Sequence, residues 1–78
     1  MKANYIYLEC FASSFKGKNG ETVEGYFVYI LERVVKNDRV YHNVIRQWTN
    51  TACYFDFGTP LDCIFDSRGK LISFSERG

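Results

Sequence analysis

The stretch TVEGYFVYILERVVKNDRVYHNVIRQW, residues 22–48, decides the fold. From Thr22 to Val35 it is rich in β-branched and aromatic residues, which suit a pleated, half-buried surface. Lys36-Asn37-Asp38-Arg39 interrupts the run as a turn. Asn and Asp tolerate the positive φ that a two-residue hairpin requires. Val40 to Trp48 then returns as a second long strand. With Asn37 and Asp38 as the turn, pairing follows by counting outward. One face carries Val35 opposite Val40, Arg33 opposite His42, Leu31 opposite Val44, Tyr29 opposite Arg46 and Phe27 opposite Trp48. The other carries Val34 opposite Tyr41, Glu32 opposite Asn43, Ile30 opposite Ile45 and Val28 opposite Gln47. The best helical window, Val28 to Lys36, is too β-branched to compete.

Working outward, Tyr5 to Phe11 alternates as a strand, with Ile6, Leu8 and Cys10 on one face and Tyr5, Tyr7 and Phe11 on the other. Lys16-Gly17-Lys18-Asn19-Gly20 is a loop with a hairpin signal at Asn19-Gly20. Ala52 to Phe57 reads as a short strand ended by Gly58-Thr59-Pro60. Leu61 to Phe65 reads as another. Asp66-Ser67-Arg68-Gly69 is a turn in which the Asp66 side chain caps its own backbone, and Leu71 to Phe74 closes the sheet. The expected fold is all-β. It has five to six antiparallel strands, as a small OB-like barrel or sheet with a long central β-hairpin, in a single domain over 1–78.

Seventy-eight residues support one modest core. Aromatics make up 18% of the chain, with six Tyr and seven Phe, more than a core this small holds. Some rings are therefore expected at the surface, where Tyr is useful in interfaces. The net charge of +1 is unevenly placed. Residues 1–30 balance to zero, and residues 49–78 come to −1. Between them, Arg33, Lys36, Arg39 and Arg46 outweigh Glu32 and Asp38 to give +2. A basic segment in a near-neutral chain permits phosphate contact. Three cysteines, Cys10, Cys53 and Cys63, are an odd number without a C-x-x-C pair. Reduced core thiols and a cytoplasmic setting are the expectation. No apolar run approaches the ~18 residues of a membrane span, so no membrane partner is expected.

No enzyme, metal or cofactor site can be assembled from motifs. His42 is the sole histidine and reads as an ordinary cross-strand residue. The cysteine spacings lack the close pairs of structural zinc sites. Lys16-Gly17-Lys18-Asn19-Gly20 lacks the phosphate-loop pattern, though a basic turn can still touch a nucleic-acid backbone. Asp56, Asp62 and Asp66 lie on separate strands or turns and do not pair for acid–base work. Function by binding is left, and the expected ligand is single-stranded DNA. Such binders need a sheet platform, rings for stacking and cations tracking the phosphates. The candidate contacts are Lys16, Lys18, Tyr29, Arg33, Lys36, Arg39, Tyr41, His42 and Arg46. Tyr29 and Arg46 would form a cation–π pair worth ~0.5–1 kcal/mol. The alternative is a small phage or mobile-element protein that binds and inhibits a host protein, since Tyr, Trp and Arg also dominate protein hot spots.

Certain features can be set beside a known family. They are the length, Lys16-Gly17-Lys18 ahead of a strand bearing Tyr26, the arm 26–48 and the hairpin Asp66-Ser67-Arg68-Gly69-Lys70-Leu71. In size, composition and layout the chain resembles the small single-stranded DNA-binding proteins of filamentous phages. That resemblance implies an OB-like homodimer with a protruding DNA-binding hairpin and functional tyrosines. Apart from it, an exposed arm on a small core itself favours a homodimer.

Overall fold

The computed structural model describes residues 2–78 as five antiparallel strands in one sheet. They are β1 (Lys2–Lys16), β2 (Thr22–Lys36), β3 (Arg39–Thr49), β4 (Pro60–Phe65) and β5 (Leu71–Glu76). Their order across the sheet is β3-β2-β1-β4-β5. The sheet stays open rather than closing into a barrel. The OB-like barrel is thus set aside in favour of the sheet with a long central hairpin.

That hairpin has the expected register throughout, from Lys36 opposite Arg39 to Phe27 opposite Trp48. The turn fixes it. Asn37 and Asp38 both take positive φ, 52° and 62°, the conformation of a type I′ turn whose twist matches the strands it joins. Asp38 adopts this geometry less readily than glycine. Asp38→Gly is therefore expected to stabilise the domain by a few tenths to about 1 kcal/mol, read as a rise in melting temperature. At the β4-β5 hairpin, the Asp66 carboxylate accepts from the backbone N–H groups of Arg68 and Lys70, both at 2.9 Å, as its place in the turn implies.

Two expectations fail. The first is the alternation along β1. The pairing of β1 with β2 shifts between Tyr7 and Glu9, where Leu8 is an extra residue. This β-bulge changes which face each half of the strand presents. Tyr5, Tyr7 and Cys10 all pack on the core, whereas Ile6, Glu9 and Phe11 lie opposite Leu31, Tyr29 and Phe27 on the other face. Ile6, Leu8 and Cys10 therefore do not form one stripe. The second is Ala52 to Phe57, which forms no strand. The segment is an irregular cover that places Cys53 and Phe55 against the core.

The core is small: Tyr7, Val28, Ile30, Leu61 and Leu71 are buried. Tyr5, Cys10, Ile45, Cys53, Phe55, Cys63, Phe65 and Phe74 pack around them. All of this lies on one side of the β1-β2-β3 ribbon, under the 50–59 segment and the β4-β5 hairpin. The other side is bare.

Candidate macromolecule-binding face

The bare side of the ribbon is built from alternate residues of three strands. β2 supplies Phe27, Tyr29, Leu31 and Arg33. Opposite them β3 places Trp48, Arg46, Val44 and His42, and β1 places Phe11, Glu9, Ile6 and Asn4. The rings gather at one end. Trp48 meets Phe27 edge-on at 4.9 Å and Phe15 at 5.4 Å, and Phe11 meets Tyr29 edge-on at 5.8 Å. Phe11 and Phe15 remain 50% and 53% exposed although no polar group masks them. Val44, at 61%, continues the apolar surface toward the turn.

Gly25 makes room for this cluster. It is a buried glycine in the middle of a strand, a place where glycine normally weakens the sheet. A Cβ there would collide with the Trp48 indole and with the Thr49 carbonyl. The bare residue lets the indole lie flat across the strand beside Phe15 and Phe27.

The guanidinium of Arg46 sits 4.6 Å from the centre of the Phe27 ring. The cation–π contact expected with Tyr29 is made with Phe27 instead, one step diagonally across the pair.

The sequence-derived contacts divide into three groups. Tyr29, Arg33, His42 and Arg46 share the bare face. Lys36, Arg39 and Tyr41 belong to the opposite side of the arm, Tyr41 lying opposite Val34. Lys16 and Lys18 stand at the far end of β2 from the turn, about 45–50 Å away for a strand of this length. The nine residues therefore do not form one patch. The rings Phe11, Phe15, Phe27 and Trp48 belong to the face and were missed. The signal for two of them was the Phe27–Trp48 pair at the base of the hairpin.

Cys63 packs against the core. Burial pushes it up to about 11, with help from the nearby charges of Asp62 and Glu32. Burial also raises the Tyr5 and Tyr7 hydroxyls. A group whose folded pKa is raised supports the fold below its ordinary pKa and loses that support as pH climbs through the folded value. For Cys63 the window runs from its ordinary 9.0 to about 11. Alkylation of Cys63 at pH 8 is expected to be at least tenfold slower than that of glutathione, rising with pH. Peptide mapping after iodoacetamide labelling measures it. None of the three cysteines is in a disulfide, and no group of three metal-ligating side chains comes together among the described residues. No helix is long and apolar enough to cross a membrane.

Comparison with known proteins finds no matching family model, no matching curated protein and no matching solved structure.

Proposed function

We propose that this chain is a non-catalytic binding domain that takes single-stranded nucleic acid along the bare face of its sheet. The observation that carries this reading is the row of rings on that face, Phe11, Phe15, Phe27, Tyr29 and Trp48, with the Arg46 guanidinium among them. Base–aromatic stacking is worth about 1–3 kcal/mol per base and tolerates any sequence. Arg33, His42 and Arg46 continue along the same face toward the turn, where a phosphate backbone would run. An unpaired strand, unlike a duplex, can turn its bases onto such a surface.

A second reading has its own support. Val40 and Val44 leave aliphatic surface on this face that no base needs, and Ile64 and Ile72 are likewise exposed on the β4-β5 hairpin. Such side chains suit a protein partner, as in a small phage or mobile-element inhibitor of a host protein.

Fluorescence anisotropy with a labelled oligothymidine, competed with unlabelled single-stranded and duplex DNA, separates the two. Single-strand binding predicts competition by the single strand at least tenfold more effective than by duplex, and affinity that falls as salt rises. Absence of binding at 50 mM salt would leave the protein-partner reading in its place.

A further inference from the structure

We propose that the outer edge of β1, residues 9–16, pairs antiparallel with the same edge of a second copy about a two-fold axis. Phe11 of each copy then stands against Phe15 of the other. The inference rests on the free backbone edge of β1 and does not depend on the nucleic-acid reading, although Phe11 and Phe15 border both surfaces.

β1 is bonded to β2 over its whole length, but to β4 only at Tyr5 opposite Leu61 and Ile6 opposite Pro60. Two further bonds close the junction, from the Tyr7 N–H to the Thr59 carbonyl and from the Gly58 N–H to the Tyr7 carbonyl, both 2.9 Å. Beyond Tyr7 the neighbouring chain departs. Among the described residues, no backbone hydrogen bond reaches the outer edge of the rest of β1. A flat, unprotected edge of this length is a template for another strand.

The phase of the ladder says which groups point outward. Lys36 opposite Arg39 closes the two-residue turn, so the even-numbered residues of β2 bond to β3 and the odd-numbered ones to β1. Their partners Glu9, Phe11, Ser13 and Phe15 therefore bond inward, toward β2. Cys10, Ala12, Ser14 and Lys16 hold their N–H and C=O groups out. With Ser13 on the two-fold axis, Ala12 of one copy meets Ser14 of the other and Cys10 meets Lys16, each as a hydrogen-bonded pair. Phe11 and Phe15 then meet as a non-hydrogen-bonded pair, the closer kind, with Cα atoms about 4.5 Å apart. The register two residues away would set Glu9 against Phe15 instead.

The surroundings agree with this register. Phe11 and Phe15 are half exposed within the monomer and gain a ring neighbour each. Because the axis is perpendicular to the sheet, the two bare faces become one face of a ten-stranded sheet.

Ser14→Pro tests the pairing. The Ser14 N–H points away from β2, so proline there leaves the β1-β2 ladder intact and removes a donor only from the dimer. Sedimentation velocity at about 10–100 µM should show a dimer for the native chain and a monomer for S14P, with unchanged circular dichroism. Ser13→Cys adds a second readout. The axis puts this residue against itself within disulfide reach, so mild oxidation should link S13C into dimers far beyond the native chain's level. A monomeric native chain, or a folded S14P that still dimerises, overturns the proposal. Should S14P unfold, failure of S13C to cross-link overturns it. Oligothymidine binding by S14P is read separately, so that failure of the dimer and failure of the nucleic-acid reading are distinguishable.

Discussion

Tyr29→Ala is expected to weaken binding of a single-stranded oligonucleotide by about 1–3 kcal/mol and to leave its salt dependence nearly unchanged, because stacking releases no counterions. Arg46→Ala and Arg33→Ala should do the reverse in form. Each lowers affinity for all sequences alike and reduces the slope of log K against log salt by up to about 0.7. Tyr41→Ala is the internal control. Its ring is as exposed as any on the arm but faces away from Tyr29 and Arg46. It should bind like the native chain. Titrations at three salt concentrations, with circular dichroism to check folding, provide all four comparisons. Equal losses from Tyr41→Ala and Tyr29→Ala would place the ligand at the tip of the arm rather than on its bare face.

The second large effect lies in the core. Ile30→Ala is expected to cost about 2–5 kcal/mol, the range for emptying a fully buried aliphatic site. Ile30 has no exposed surface and shares the core with only four other buried side chains. The whole domain, at typical values per residue, is stable by about 4–12 kcal/mol. The loss is therefore a large share of the total, and urea denaturation should show it as a collapse of the midpoint. Val44→Ala, one position along the adjoining strand, should change stability by about 0.5 kcal/mol or less in the monomer, because Val44 already faces water. Similar losses at both positions would mean that the ribbon buries both faces.

The contrast between these two residues also marks what was legible in the sequence. The β2-β3 register could be read residue by residue, because Asn37-Asp38 imposes one turn geometry and antiparallel pairing then leaves no freedom. Asp66 was legible for a similar reason, since its carboxylate caps a turn formed by its immediate neighbours. The bulge at Leu8 was not. Ile6-Tyr7-Leu8-Glu9-Cys10 alternates smoothly on paper, and an inserted residue leaves no mark when every candidate is a β-former. Ala52 to Phe57 misled for another reason. Its apolar residues serve to cover the core, and coverage requires hydrophobicity without requiring a ladder. The candidate contacts, tyrosines for stacking and cations for phosphates, are residue types found on both sides of the ribbon, so they scatter over both faces. Phe11 and Phe15 join the Phe27–Trp48 pair only through the register of β1, which the bulge at Leu8 obscures.

The narrow junction between β1 and β4 sets how the molecule comes apart. β2 is bonded along both edges, whereas the β4-β5 hairpin is tied to the rest of the sheet over two residue pairs and the bonds around Tyr7. That hairpin can leave as a unit while the three-stranded ribbon persists, and its departure takes Leu61 and Leu71 away from Ile30. The domain then has two opening energies instead of one. Amide protons of Val28 and Ile30 should exchange only through global unfolding. Those of Asp62 and Ser75, a hydrogen-bonded pair of the β4-β5 ladder, should exchange through the cheaper partial opening, and hydrogen-exchange mass spectrometry resolves the two classes. Each partial opening bares the underside of the ribbon, so the same loose seam that admits water is where a protease would first find the chain, within residues 50–59.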